Sequence, residues 1–363
     1  MPDIALTTLK QENSVIHANA VFEGGGVRGI AHVGALTVAE SLGYQWDYVA
    51  GTSAGAVVAA FVAAGYSAEE MREIMQEVDY RKFIDHPLFD LMHFSEVIRM
   101  IAKGGFYTGS YIETFMREKL QKKGIQKFGH LLVKGQEDNP DPFMRYRLTI
   151  IASDITGGRI LRLPQDAVLF GQNPDDLDVA RAVRMSASLP FFFVPMYLKQ
   201  ADGTDSCIVD GGLLSNFPLF LFERPGVQPD KPTLGFRLVD PHPVGAHIQA
   251  EMFSKTNSKI GMLKALLSTM LSAHDKLYMS DSTFVRTIAI PANGISATQF
   301  DLTHEQAQML FESGEQAAQK FFSTWNFEAY KATFGSGKPL PPRQEQLHAA
   351  MQQQATGQLS NVA

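Results

Sequence analysis

Two strand–tight turn–helix units fill the first 65 residues, and this repetition constrains the fold more than any other feature of the chain. A short apolar stretch at 18–22 stops at Gly24-Gly25-Gly26. From 28 to 42 Ile30, Val33 and Leu36 then recur at helical spacing with the small Ala31, Ala35 and Ala39, until Gly43 ends the run. The second unit repeats the plan: Tyr48-Val49-Ala50, the turn Gly51-Thr52-Ser53-Ala54-Gly55, then an alanine/valine helix to residue 64. A strand followed closely by a helix returns to its sheet in the same direction, so the expected class is α/β with a mainly parallel sheet.

Size and charge narrow the function. With 363 residues the chain can bury a substantial core in one large α/β domain or two smaller ones. The 32 basic residues against 38 acidic ones, a net charge of −6, argue against a nucleic-acid partner, which selects a basic face. A single cysteine, Cys207, excludes a disulfide scaffold and a thiolate metal cluster. Residues 1–20 lack a basic segment followed by an apolar core, and the longest apolar run, 54–64, is about half of a bilayer span. The expectation is a soluble cytoplasmic protein.

Further along, Ser67-Ala68-Glu69-Glu70 reads as a capping box opening a helix. Residues 110–122 form another helix, 135–142 a polar surface loop and 147–152 a buried strand. Residues 196–199 and 207–209 form a hairpin through Asp202-Gly203, and 234–239 a further strand. Ile260, Leu263, Leu267, Met270, Leu271 and His274 trace a helical stripe, and Asp301 and Thr303 precede a last long helix ending near Phe322. Beyond Gly335 the chain is rich in Pro and Gln, and a mobile tail is expected over 335–363.

The second turn matches G-x-S-x-G, in which a serine sits on a sharp strand-to-helix turn. The pattern alone would arise by chance in roughly one such chain in seven, so its placement between strand and helix carries the weight. The first turn, Gly24-Gly25-Gly26-Val27-Arg28-Gly29, admits three readings. A dinucleotide site needs an acidic residue after the second strand, where Ala50-Gly51 stand. A Walker A loop needs Gly-Lys-Ser/Thr, which is absent. There remains an oxyanion hole, with the N–H groups of Gly25 and Gly26, and a further one from Val27 or Arg28, facing developing negative charge. Adjacent parallel strands would set this turn beside Ser53.

A serine nucleophile needs a base. Of the histidines after Ser53, His86 and His93 lie in an irregular segment, His130 precedes a loop, His242 stands between prolines, and His247, His274, His304 and His348 have no small-residue turn around them. Asp210 ends a strand and precedes Gly211-Gly212, which permits close approach; Asp154, also at a strand end, is the second choice.

The three motifs, in this order, resemble the patatin-like phospholipase family. So do Ser153-Asp154-Ile155-Thr156-Gly157-Gly158, the stretch from Ser186-Ala187-Ser188-Leu189-Pro190 to Pro195, and Asn216-Phe217-Pro218. The resemblance covers about residues 18–325 and suggests a domain over 16–325. It implies a three-layer α/β/α sandwich and a Ser53–Asp210 dyad without catalytic histidine, cofactor or metal. Oxyanion donors would come from Gly25 and Gly26, with Gly24, Val27, Arg28, Gly29, Gly51, Thr52, Ala54, Gly55, Gly211 and Gly212 completing the motifs. The implied activity is phospholipase A-type ester hydrolysis. A neutral-lipid lipase or acyl thioesterase, or a partner-activated lipid-binding effector, is the alternative. The implied partner is an acyl lipid met in transient contact with a membrane surface; a homo-oligomer stays open.

Three local readings remain. Arg28 holds a lipid phosphate or, more simply, a surface ion pair. Phe191-Phe192-Phe193 lines an acyl channel or belongs to the core. The aromatic segment 79–107, with Phe89, Met92 and Phe94, is expected at the pocket mouth as a lid, against the plainer reading of a cap on the sheet.

Overall fold

A computed structural model describes residues 15–84, 105–224, 227–239 and 280–335. Strand β1 (Ile16–Phe22), a 3-10 turn (Gly26–Gly29) and helix α1 (Ile30–Ser41) form the first unit, and β2 (Tyr44–Thr52) with α2 (Ala54–Ala63) the second. The α-helix starts at Ile30, not at residue 28, because Gly26 at φ +58° breaks the approach and the next residues wind more tightly. Strand β2 is longer than its apolar run. Its first residues alternate, with Tyr44 and Trp46 buried and Gln45 exposed, before burial becomes continuous at Tyr48.

Helix α3 (Ala68–Glu77) carries the expected reciprocal cap between Ser67 and Glu70. Strand β3 (Gly105–Tyr107), α4 (Ser110–Lys122), β4 (Leu148–Asp154), β5 (Arg159–Leu163), α5 (Val179–Ser186), β6 (Phe191–Phe193), β7 (Met196–Lys199), β8 (Asp205–Asp210) and β9 (Thr233–Val239) follow. Then come α6 (Asp281–Val285), β10 (Thr287–Pro291), α7 (His304–Phe322) and α8 (Phe327–Phe334). The sequence reading did not foresee β5, α5, β10 or α8, so α7 is not the last helix. Each is short, and β5 and α5 carry arginines (Arg159, Arg162, Arg181, Arg184) that break the apolar pattern. The stripe at 260–274, the tail and most of the aromatic segment, with Phe89, Met92 and Phe94, lie outside the described residues.

The central sheet runs β10-β9-β1-β2-β4-β8-β7, with β5 on β4. From β10 to β4 every pairing is parallel; β5, β8 and β7 pair antiparallel. Alternate side chains divide between its faces. Ala18, Ala20, Phe22, Ile150 and Ala152 join the main core, which also takes in α1, α2 and α7. Val21, Ala50 and Ile151 meet Phe217, Leu219 and Leu221 around the 3-10 helix Leu219–Phe222 on the other face. The result is the expected α/β/α layering with a mixed, mostly parallel sheet.

Candidate active site

The pairing of β4 creates the site. Strand β2 pairs with β4 through Val49–Thr52, against Leu148 to Ile151, while β8 pairs with Ala152 to Asp154. Strand β5 overlaps both stretches, so it takes one edge of β4, and β2 and β8 share the other. They run in opposite directions and meet end to end: Thr52 lies opposite Ile151 and Asp210 opposite Ala152. The last residue of β8 therefore faces the residue that follows β2, which is Ser53.

Ser53 has φ 54° and ψ −122°, a left-handed conformation that is uncommon for a residue with a Cβ and costs of order 1–3 kcal/mol. The surroundings enforce it. Its N–H donates to Ser186 Oγ at 2.8 Å, and Ser186 Oγ donates to Ile151 O at 2.5 Å. Helix α2 starts immediately after it and runs close beneath β1, so a Cβ on Gly55 would stand 2.2 Å from Phe22 O. That close approach, rather than turn flexibility, is why the motif ends in glycine.

Asp210 is 2% exposed. Its Oδ2 accepts from Ser53 Oγ at 2.6 Å and its Oδ1 from the Gly212 N–H at 2.8 Å. Burial pushes its pKa up to about 6; the Ser53 hydroxyl and the Gly212 N–H pull the other way without cancelling it. The second-choice acid, Asp154, is spoken for: its carboxylate caps the β4–β5 turn through the N–H groups of Thr156 and Gly157 and pairs with Arg159 at 3.0 Å. Among the described residues no histidine hydrogen-bonds to Ser53 or Asp210. His130 accepts from the Gln126 N–H, and His304 opens α7. His86, His93, His242, His247, His274 and His348 lie outside the described residues.

The glycine turn lies alongside, since β1 is parallel to β2 with Phe22 opposite Gly51. A Cβ on Gly24 would come 3.2 Å from Ser53 Cβ and 2.2 Å from Asn216 Oδ1. Asn216 clamps this turn from both sides, donating from Nδ2 to Gly24 O and accepting the Gly24 N–H at its own carbonyl, each at 3.1 Å. Two expected donors are already engaged. Val27 N–H donates to Ala297 O at 3.1 Å and Arg28 N–H to Gly25 O at 3.2 Å, so neither is free for an oxyanion. The N–H groups of Gly25 and Gly26 have no acceptor among the described residues. Arg28 also donates from Nε to Gly25 O at 3.1 Å, a role in the turn itself. Holding that carbonyl turns the Gly26 N–H of the same trans peptide the opposite way. The sequence reading missed Ala297, which sits so close to Gly26 that a Cβ there would meet its carbonyl at 1.9 Å. No motif marks it.

Beside the turn lies an aromatic wall. Val27, Ile112, Phe193 and Phe300 are buried together, with Tyr80, Phe83, Ile84, Tyr107, Ala187, Leu189 and Phe192 packed against them. The phenylalanine run divides: Phe193 is core, Phe192 stacks on Phe300 at 5.2 Å, and Phe191 is 44% exposed with φ 63°. Tyr80, Phe83, Ile84 and Tyr107, from the two described ends of the aromatic segment, thus join the wall that Val27 shares with the glycine turn.

Among the described residues no group of three or more His, Cys, Asp or Glu is placed to hold a metal ion, and no helix is long and apolar enough to cross a membrane. A family model, patatin-like phospholipase, matches residues 20–222, from within β1 through both motif turns and Asp210. The chain belongs to the patatin-like phospholipase family. Membership supports lipid ester hydrolysis as its activity. Among patatin-like relatives and other similar proteins, the chain is 38% identical over 314 residues to YqhO, an uncharacterized protein of Bacillus subtilis, covering 86% of this chain and 100% of that one. It is 28% identical over 210 residues to human patatin-like phospholipase domain-containing protein 6, covering 57% of this chain and 12% of that one. Among solved structures, VipD from Legionella pneumophila superposes with a TM-score of 0.49 at 17% identity, over 85% of this chain and 67% of that one.

Proposed function

We propose that this patatin-like protein is a phospholipase A-type acyl hydrolase with Ser53 as nucleophile, Asp210 as general base and the Gly25 and Gly26 N–H groups as oxyanion donors. The 2.6 Å hydrogen bond from Ser53 Oγ to Asp210 Oδ2 carries the reading. A hydroxyl held on a buried carboxylate whose pKa is raised toward neutrality has the proton acceptor that nucleophilic attack requires.

In the first half-reaction Ser53 Oγ bonds to the ester carbonyl carbon as its proton passes to Asp210. The carbonyl oxygen becomes an oxyanion facing Gly25 and Gly26; one such donor typically lowers the barrier by about 3–4 kcal/mol. The positive end of α2 adjoins the same atoms. The bond to the alcohol oxygen breaks, and Asp210 returns the proton to the leaving alkoxide. In the second half-reaction water gives its proton to Asp210 and attacks the acyl-serine, the tetrahedral adduct collapses, and the proton returns to Ser53 Oγ as the fatty acid leaves. No step draws on a metal or cofactor. The wall of Val27, Leu189, Phe192 and Phe300 suits an acyl chain, and the aromatic residues flanking it suit transient contact with a membrane surface.

The test is labelling with a fluorophosphonate, then mass spectrometry of products from mixed phospholipid vesicles. Ser53 is expected to carry the label, and wild type to release fatty acid and lysophospholipid while Ser53→Ala releases neither. Turnover of acylglycerols or acyl thioesters alone would move the assignment to a neutral-lipid lipase or thioesterase. Absence of any Ser53-dependent turnover would reduce the protein to a lipid-binding effector.

A further inference from the structure

The turn that ends α5 touches both members of the Ser53–Asp210 pair. Ser186 Oγ accepts the Ser53 N–H at 2.8 Å, and two residues later Ser188 O accepts the Asp210 N–H at 2.9 Å. Both serines are 0% exposed. The first contact falls where the ladder of β4 is interrupted. Here pairing passes from β2 to β8, the N–H groups of Ser53 and Asp210 turn to Ser186 Oγ and Ser188 O, and the Ser186 hydroxyl donates to Ile151 O at 2.5 Å. The same hydroxyl then uses its lone pairs to hold the Ser53 N–H, so one atom closes the gap in the sheet and fixes the strained residue beside it. The turn is braced from behind. Buried Arg184 donates from Nη1 to Ser188 Oγ and from Nη2 to Thr108 O at 2.6 Å and Val194 O at 2.8 Å.

We infer that Ser186 is a positioning residue that keeps Ser53 in its left-handed conformation with Oγ on Asp210, and that the Ser186–Ser188 turn sets the separation of the pair. The inference rests on the proposed roles of Ser53 and Asp210. Without the Ser186 hydroxyl two buried groups, the Ser53 N–H and Ile151 O, lose their partner. Ser53 can then relax more readily toward an unstrained backbone that carries Oγ away from the carboxylate, opposed by its place at the start of α2 and by the bond to Asp210 itself.

The pH profile separates positioning from general support. Among the described residues the influences on Asp210 are burial, the Ser53 hydroxyl and the Gly212 N–H, with no charged group among them. The Ser53 hydroxyl lowers its pKa, so losing that contact raises it. In Ser186→Ala, kcat on a soluble ester should fall roughly 10- to 100-fold with KM changed less than about threefold. The acid limb of the pH profile should move to higher pH, and the fluorophosphonate should label Ser53 more slowly by a similar factor. Ser186→Thr, which keeps the hydroxyl, should recover most of kcat and return the acid limb. If the alanine variant does not fold, Ser186→Cys carries the same comparison, because a thiol is a poor substitute in both bonds. A kcat within about threefold of wild type would overturn the inference, as would a reduced kcat with the acid limb unmoved. Labelling of Ser53 and its loss of activity on mutation in otherwise wild-type protein test the underlying roles separately, so the two failures are distinguishable.

Discussion

Asp210→Asn should stabilise the protein while abolishing its activity, and the gain can be worked out. The carboxyl has an ordinary pKa of 3.8 and is pushed up to about 6 by burial. Raising the folded-state value favours the neutral form, so the folded state binds more protons than the unfolded chain between those two pH values. Stability is therefore lost as pH rises through that window and stays lost above it. The shift of about 2 pKa units corresponds to about 3 kcal/mol at pH 7.5, spent on keeping a buried carboxylate ionised. Asparagine has nearly the same shape, can still accept the Gly212 N–H, and can donate to Ser53 Oγ where the carboxylate accepted. The variant should melt several degrees higher than wild type at pH 7.5. About half of the advantage should remain at pH 5 and little at pH 4, because wild type regains its proton. Its kcat should fall at least about 1,000-fold, since an amide takes no proton. The assay is thermal or urea unfolding of both proteins at pH 4, 5 and 7.5, beside ester turnover. A variant no more stable than wild type at pH 7.5, or an advantage independent of pH, would refute the reasoning that Asp210 is held as a costly base.

Other outcomes follow from the same geometry. For wild type, kcat/KM on a soluble ester should fall tenfold per pH unit below about 6, as one group protonates; a limb near pH 4 would place the base elsewhere. Gly26→Ala combines φ +58° with a backbone carbonyl 1.9 Å from the new Cβ, and should cost about 2 kcal/mol or more in unfolding experiments. Gly25→Ala meets only the tip of Leu238, at 2.1 Å, and should lose activity with a smaller drop in melting temperature; equal destabilisation would count against the distinction. His130→Ala and His304→Ala should each retain turnover within about twofold, and a loss matching Asp210→Asn would replace the pair with a triad.

Much of this was legible because local spacing and local chemistry agree. The Gly24–Gly29 and Gly51–Gly55 turns each need small residues between a strand and a helix, and adjacent parallel strands bring such turns together. Asp210 stood out through its place at a strand end before Gly211-Gly212. Its meeting with Ser53 was not readable from strand patterns, because it depends on β2 and β8 sharing one edge of β4 from opposite directions. The sealing of Gly26 by Ala297 was equally hidden: a backbone carbonyl leaves no trace in residue type. Strands β5 and β10 failed the pattern test for a different reason: β5 carries arginines held by nearby carboxylates, Arg159 by Asp154 and Arg162 by Asp166, and β10 exposes Ala289 in the middle of an apolar run.

The end-to-end junction on β4 also orders events in time. Ser53 emerges early in synthesis, but the carboxylate that accepts its hydroxyl is 157 residues further on. The carbonyl that seals the glycine turn belongs to Ala297, later still. Closing contacts of such long sequence separation is slow compared with forming a single strand–turn–helix unit. The first two units can therefore form while Ser53 still lacks the partner of its hydroxyl, and on the proposed mechanism reactivity arrives as one of the last properties of the maturing fold. A nascent or truncated chain that has lost β8 keeps the serine turn but, on the proposed mechanism, has no base to activate it. Latency of this kind needs no inhibitor; it is inherent in where the two halves of the site lie along the polypeptide.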